Sequence, residues 1–302
     1  MEMFKHMIPK KGDEGILEKP APVGFIFEPK FDGTRIFLYK DKENLSLVNE
    51  LGIDILFKFP EMLDIPAYIK LEKCVLDGVI VALKESIPNS EALQARELLE
   101  PEKSKIRRKR FPAVFFVFDI LEANKVLLTN ELLKKRREIL EKSIKESDII
   151  KICPSSLTSK VIWEKVKEGG YEGVIAKALG SRYWPGKTWD WLKIINFHTQ
   201  NAIITGVTEK TFLLSAYKNG ALQDLGMLEK NGFLKKYIKK RICDLETEKK
   251  PFDIDIKARW LKPEIIIKVK HDGFQENKLK NPKFMRIRFD RLPEQCVIEN
   301  EI

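Results

Sequence analysis

The segment EPKFDGTR at 28–35 sets a lysine, Lys30, among Glu28, Asp32, Gly33 and Arg35. A lone lysine in a loop is ordinarily solvated, but one in this company is unusual. An amine attacks a centre such as phosphorus only when unprotonated. Its pKa must then fall from about 10.4 toward neutrality, through neighbouring cations or desolvation. Arg35 is one candidate source of positive potential. Lys177 in EGVIAK (172–177) and Lys193 in DWLKI (190–194) are two more. The same cations would offset charge on phosphate oxygens in a transition state. Gly33 permits a close backbone approach that a side chain would block. Other chemistries find little material. The histidines are His6, His198 and His271 alone, and Cys74, Cys153, Cys243 and Cys296 form no CxxC pair. A histidine-built zinc site or a Ser-His-Asp triad is therefore not expected.

The elements that must position these residues follow from patterning. Residues 23–40 read as strand, short loop, strand, with Lys30, Asp32, Gly33 and Arg35 in the loop. Further strands are expected at 74–83 and 113–121, the latter apolar on both faces and so central in its sheet. Helical composition covers 88–100 and 130–146. In the second, Leu132, Leu133, Arg136, Ile139 and Leu140 recur at helical spacing, with Asn130 a possible N-cap. A short helix at 161–168 ends at Gly169-Gly170, and the strand EGVIAK follows. Near 196–201 the pattern changes to short strands with Gly or Asn turns and one basic helix at 233–246. That suggests a small OB-type β-barrel, with the boundary near 197.

The chain has 302 residues, 43% apolar and 33% charged, enough apolar material for a sizeable core. No apolar run approaches a membrane span, and MEMFKHMIPKKGDEG lacks the apolar region of a secretory signal. A cytoplasmic protein with reduced thiols is expected. The formal net charge of +10 favours a polyanionic partner. Two basic runs, KSKIRRKR at 103–110 and KKYIKKR at 235–241, would suit a phosphate backbone, or form solvated faces.

Together, EPKFDGTR, EGVIAK and DWLKI resemble the nucleotidyltransferase motifs of ATP-dependent DNA ligases, in order and across about 165 residues. The whole chain is similar to the minimal bacterial and archaeal type. The resemblance implies an α+β protein: a nucleotidyltransferase (ATP-grasp-like ligase catalytic) domain at 1–197, followed by an OB-fold β-barrel at 198–302. It implies that Lys30 takes AMP from ATP, passes it to the 5′-phosphate of a nick in duplex DNA, and that the 3′-hydroxyl then closes the strand. It makes Lys30, Asp32, Arg35, Lys177 and Lys193 catalytic. Glu28, Phe118 (against the base), Glu172, Arg286 and Arg288 join Lys30, Arg35, Lys177 and Lys193 in binding the nucleotide. Glu172, with Asp77 as a weaker candidate, would hold Mg2+ or Mn2+. FFVFDIL at 115–121, FPEM at 59–62, SRYWPGKTWDWLKI at 181–194, where Arg182 and Lys187 are candidate phosphate contacts, and NPKFMRIRFDR at 281–291 extend the match. A monomer working with repair or end-joining proteins is expected.

Three positions depart from the family pattern. Val79 stands where LDGE has its glutamate, Ile195 where motif V has a second lysine, and Glu50 where an arginine binds nick phosphate. Asp77 shares the face of Val79 on a strand and is a candidate substitute. RNA ligase or capping-type chemistry shares the KxDG loop. A nucleic-acid-binding pseudoenzyme with impaired catalysis is the reading these departures favour.

Overall fold

In a computed structural model the protein is described over residues 4–18, 24–98 and 101–298, with the side chains of 101–105 outside that description. The chain divides into two compact units, Met1–Asn196 and Phe197–Ile302.

The first unit contains two sheets. The strands are β1 (Met7–Lys11), β2 (Phe25–Lys30), β3 (Thr34–Asp41), β4 (Asn44–Asn49), β5 (Lys73–Lys84), β6 (Ala113–Ala123), β7 (Ile150–Ile152), β8 (Gly173–Ala178) and β9 (Gly186–Ile195). One sheet has the order β1-β9-β8-β2. The other runs β4-β3-β5-β6, with β7 parallel to β6 and short strands at its margins. Strand β6 is thus internal, as its two apolar faces require.

Strands β2 and β3 belong to different sheets, so Phe31–Gly33 is a crossover rather than a hairpin turn. Lys30 ends β2 and Arg35 lies within β3, one on each sheet. The expected loop holds only Phe31, Asp32 and Gly33. Gly33 is obligatory there: a Cβ would lie 2.3 Å from Val79 Cγ2 and 2.5 Å from the Ile80 carbonyl oxygen.

Helices α1 (Ser90–Glu97), α2 (Pro101–Arg110), α3 (Leu133–Ser143) and α4 (Ser159–Gly169) complete this unit. Leu93 of α1 and Leu140 of α3 pack with Ile36, Leu38, Leu76, Ile80 and Phe115 on one face of the larger sheet. Helix α4 places Ile162 and Val166 on Phe27, Val174, Ala176 and Ile194 of the smaller sheet. The opposite sheet faces meet through Phe37, Tyr39, Val75 and Leu121 on one side and Met7, Tyr183 and Trp191 on the other. Strict alternation along β5 separates these layers: Leu76, Ile80 and Ala82 face the helices, while Val75 and Asp77 face the other sheet.

Asn130 does not cap α3. The helix begins at Leu133 without a side-chain cap. Its first N–H groups instead donate to the carbonyls of Ser181 and Leu179, which satisfies the orphan donors of a helix start. Gly170 closes α4 in the left-handed conformation at φ 61°.

Arg136, on the apolar stripe of α3, is fully buried. It forms a two-fold pair with Asp119 of β6 at 2.7 and 2.8 Å, and donates to the carbonyls of Glu131 and Ser181. Its neighbour Arg137 turns to the other sheet and donates to Glu28 at 2.6 Å and Ser155 Oγ at 3.0 Å. Adjacent residues of one helix thus tie both sheets. The FPEM element has a similar role: Arg96 of α1 grips Glu61 through both oxygens at 2.6 and 2.8 Å.

The second unit runs β10 (His198–Val207), β11 (Thr211–Lys218), β12 (Ala221–Glu229), α5 (Gly232–Leu245), β13 (Arg259–His271) and β14 (Lys283–Ile287). Strand β10 pairs with both β11 and β13, and β14 with β13. These five longer strands, with a helix between the third and fourth and two-residue strands at Glu246–Thr247, Phe274–Gln275 and Lys278–Leu279, form the OB-type unit expected. Asn231 caps α5 by accepting from the Leu234 N–H at 2.7 Å.

Removing one partner of a fully buried pair leaves an uncompensated charge, which costs about 3–5 kcal/mol. Arg136→Met should therefore lower the urea-unfolding free energy of the first unit by about that amount. Adding Asp119→Leu should restore most of it. Equal loss in the single and double variants would show that the pair itself stabilises.

Candidate active site

The site lies on the face of the smaller sheet that looks toward the larger one. In register, Lys30 sits opposite Gly173, and Gly173 opposite Ile195. The next rows are Glu28–Ile175–Lys193 and Ile26–Lys177–Trp191. Directly opposed residues share a face, so Lys30, Glu28, Lys177, Trp191, Lys193 and Ile195 point the same way. Position 173 accepts only glycine: a Cβ would lie 2.1 Å from the Ile194 carbonyl oxygen.

Lys30 Nζ is 2.7 Å from Glu172 Oε2. The Glu172 N–H also donates to the Lys30 carbonyl at 3.1 Å. Glu28 is buried and holds Arg137 on one oxygen and Lys177 on the other, each at 2.6 Å. The Lys177 ammonium also lies over two rings, Phe118 at 4.1 Å and Trp191 at 4.3 Å from the centroids. Cation–π attraction strengthens when the cation is desolvated, and Lys177 is 1% exposed. Phe118 owes its position to a bulge. Across β5, Asp77 faces Asp119 and Gly78 faces Val117, leaving Phe118 as the extra residue. A bulge re-aims the side chain it carries. Trp191 Nε1 is buried without a hydrogen-bond partner.

On the larger sheet Arg35 grips Asp77 through two hydrogen bonds, at 3.0 and 2.6 Å, and donates to the Met7 carbonyl at 2.8 Å. Tyr183 donates to Asp77 at 2.6 Å and accepts from the Met7 N–H at 3.1 Å. His6 stacks on Phe37 with centroids 4.0 Å apart, its Nδ1 3.7 Å from Asp77. Burial works against ionisation of Asp77, but Arg35 and His6 outweigh it and hold the carboxyl well below its ordinary range. Arg35 shifts upward for the mirror reason: burial opposes its charge and Asp77 more than offsets that, with a smaller contribution from Glu50. Burial, then Asp77, drives the Tyr183 hydroxyl well above its usual range.

This corrects two expectations. Asp77 is the counter-ion of Arg35 rather than an open metal ligand or a substitute at position 79. Arg35 points at Asp77, so its charge is largely neutralised locally. Val79 itself packs with Phe31, Val81, Val114, Phe116 and Phe118. Asp32 accepts from Ser90 Oγ at 2.8 Å, and Thr34 Oγ1 donates to Glu97, so the crossover is fastened to both ends of α1. Tyr183, His6, Trp191 and Arg137 were missed from the sequence. Tyr183 lies between two surface-type residues in SRYW, and nothing in its spacing marks it. Arg136, on an apolar helical stripe, was the readable sign that α3 carries buried arginines.

Arg286 and Arg288, expected at the nucleotide, are buried within the second unit. Arg288 forms a two-fold pair with Asp290, both bonds 2.7 Å, and also donates to Asn201 Oδ1 at 3.3 Å. Burial again opposes ionisation of Asp290, and Arg288, Arg286 and Arg291 overcome it. Arg182, Lys187 and the α2 residues Arg107, Arg108, Lys109 and Arg110 are exposed.

Among the described residues no group of three or more His, Cys, Asp or Glu could hold a metal. With Glu28 and Asp77 each held by buried cations, the remaining carboxylate, Glu172, fits a divalent ion held mainly by triphosphate and water, as is usual for Mg2+. No helix among the described residues is long and apolar enough to cross a membrane.

A lysine at a sheet end, paired with a carboxylate and flanked by further cations and a bulged aromatic, defines a nucleotidyltransferase-type site, here followed by an OB-type unit. The model of the ATP dependent DNA ligase domain matches residues 7–194, and that of the ATP dependent DNA ligase C terminal region matches 206–291. The chain belongs to the ATP-dependent DNA ligase family. DNA ligase C1 of Mycolicibacterium smegmatis is 28% identical over 309 residues, covering 90% of this chain and 87% of that protein. The multifunctional non-homologous end joining protein LigD of the same organism is 27% identical over 96% of this chain, which spans 39% of LigD. A solved structure of mycobacterial DNA ligase D complexed with ATP and MES shares the fold, with TM-score 0.68 and 22% identity over 97% of both chains.

Because the folded Asp77 carboxyl sits below its unfolded value of about 3.9, the unfolded state protonates first as pH falls. The stability this provides is full above about pH 5, begins to fall as pH drops through 4, and is gone only below the folded carboxyl's own depressed value. Asp77→Asn should therefore be less stable than wild type at pH 7, with the gap narrowing toward pH 3 in urea titrations at each pH. A gap constant with pH would mean that the carboxylate's charge contributes nothing.

Proposed function

We propose that the chain seals nicks in duplex DNA by ATP-dependent ligation, with Lys30 as the residue that carries AMP. The observation that supports this is the meeting of Lys30 with Glu172, 142 positions apart in sequence, on one sheet face with Lys177 and Lys193. The bond formed is Lys30 Nζ to the α-phosphorus of ATP. The bond broken is that from the α-phosphorus to the bridging oxygen, which leaves with its electron pair on pyrophosphate, and the nitrogen's proton passes to water.

Attack needs the unprotonated amine, and Glu172, 2.7 Å from Lys30 Nζ, would then be engaged elsewhere. Glu172 would hold Mg2+ or Mn2+, which supplies charge to offset the phosphate oxygens. Lys193 and Lys177 supply fixed positive charge on the same face. Phe118, aimed by its bulge, offers a ring to the base. Asp32, fastened to α1 through Ser90, fixes the crossover. The exposed cations of α2 and α5 suit the duplex backbone without reading bases. The likeness to an end-joining protein supports work at breaks alongside repair proteins.

Lys30→Ala should abolish covalent label from radioactive ATP and keep the circular dichroism spectrum of wild type. Label at normal yield would overturn the nucleophile assignment. Label from GTP in place of ATP would favour capping-type chemistry, and transfer to nicked RNA alone would favour an RNA ligase.

Ile195 tests the departures. It lies two strands from Lys30, about 9–10 Å, and Gly173 between them has no side chain. A lysine there has room to reach the α-phosphate. A charge-assisted contact is worth about 1.5–3 kcal/mol, so Ile195→Lys should speed adenylation about 10- to 100-fold. An unchanged or slower rate would mean that the site is built around the isoleucine. Absence of label in both wild type and variant would favour the pseudoenzyme reading.

A further inference from the structure

Strand β9 carries two tryptophan environments within one irregularity. Pro9 of β1 is opposite Thr188, but the next residue, Lys10, is opposite Leu192. Residues 189–191 therefore bulge from the pairing. Trp191 turns inward and is 2% exposed, while Trp189 turns outward and is 66% exposed. Trp184, just before the strand, is 51% exposed. Five residues of chain place the Cα atoms of Trp184 and Trp189 at most about 18 Å apart.

The surroundings of the two indoles are basic. Lys10 Nζ lies 4.5 Å over the Trp189 ring. Arg182 and Lys187, two residues before each indole in sequence, are exposed, as are Lys5 just before β1 and Lys11 at its end. Between 181 and 195 the only acidic residue is Asp190, and between 5 and 11 there is none. Duplex DNA needs only the cations, since its bases are stacked away in the helix. Exposed indole faces among cations suit unstacked bases on a phosphate chain, because every base has a π-face.

We infer that the outer surface formed by Trp184, Trp189, Lys10 and Lys187 binds single-stranded DNA. The inference rests on the ligase reading only for the source of that strand, an unpaired stretch beside the break being sealed. Across the smaller sheet, Lys30 lies on edge strand β2, Lys187 and Trp189 on β9 two strand spacings away, about 9–10 Å sideways, and Lys10 on the far edge strand β1, about 14 Å sideways.

The test measures fluorescence anisotropy of the full chain with labelled oligothymidylate of about twelve nucleotides, within the usual range of single-strand site sizes, and with a blunt duplex of equal length. The double variant Trp184→Ala/Trp189→Ala should bind oligothymidylate about 10- to 100-fold more weakly and the duplex as wild type does. Trp189→Phe should retain single-strand binding and Trp189→Leu should lose it. The inference is overturned by unchanged oligothymidylate affinity, by equal loss on both probes, or by Leu serving as well as Phe, the result an apolar protein-docking patch would give. Covalent labelling by ATP, run in parallel, separates the two claims. If wild type takes no label yet shows the single-strand effect, the ligase reading fails and the surface stands.

Discussion

A buried guanidinium must be paired, and α3 carries two of them side by side. Satisfying both at once fixes the first unit. Arg136 is paired with Asp119 on the larger sheet, and Arg137 with Glu28 on the smaller one. The helix therefore sets the spacing and register of the two sheets whose facing surfaces carry the site. Hydrophobic contact between Phe37, Tyr39 and Trp191 supplies attraction without direction; the charged pairs supply the direction. That is why Glu28, two residues before Lys30, is a point on which much depends. It is fastened by Arg137 from the helix and in turn fastens Lys177.

Each principal cation of the site is met by a carboxylate: Lys30 by Glu172, Lys177 by Glu28, Arg35 by Asp77. The three pairs are not equally exchangeable. Lys177 and Glu28 are both 2% exposed as side chains, and Glu28 is anchored twice. Arg35 has Asp77 locked by Tyr183 as well. Lys30 is the most exposed member, at 24%. A polyanion entering this face meets least resistance at Lys30, where one carboxylate must give way and water can share the cost. The other two pairs behave as framework, holding charge and rings in place while the exchange occurs.

Much of this was legible in the sequence. Period-two patterning marked β2 and β3, because a half-buried sheet face demands alternation, while a run apolar on both faces marked β6 as an internal strand. The crossover was not legible, since alternation says nothing about which sheet a strand joins. Asn130 failed as a cap because donors were satisfied by the backbone of Leu179 and Ser181, fifty residues away. Asp77 was misread because its partner, Arg35, lies 42 residues earlier on a neighbouring strand. Long-range pairing decides a buried carboxylate's role, and local spacing cannot see it. The same blindness hid Tyr183 and His6.

The departures look different once packing is included. Val79 is opposite Arg35 in register and touches the space Gly33 leaves open. A glutamate there would sit among Phe31, Phe116 and Phe118, and the cation opposite it in register, Arg35, is already gripped by Asp77. The valine is therefore consistent with its own surroundings, which have been built apolar. Ile195 is not held in the same way. Its neighbour in the row is a bare glycine backbone, and it is only partly buried. Both positions are half-buried, but Val79 packs against a cluster of apolar side chains whereas Ile195 has a bare glycine backbone beside it. A loss of polar contact at position 79 involves several side chains, whereas the loss at 195 involves one.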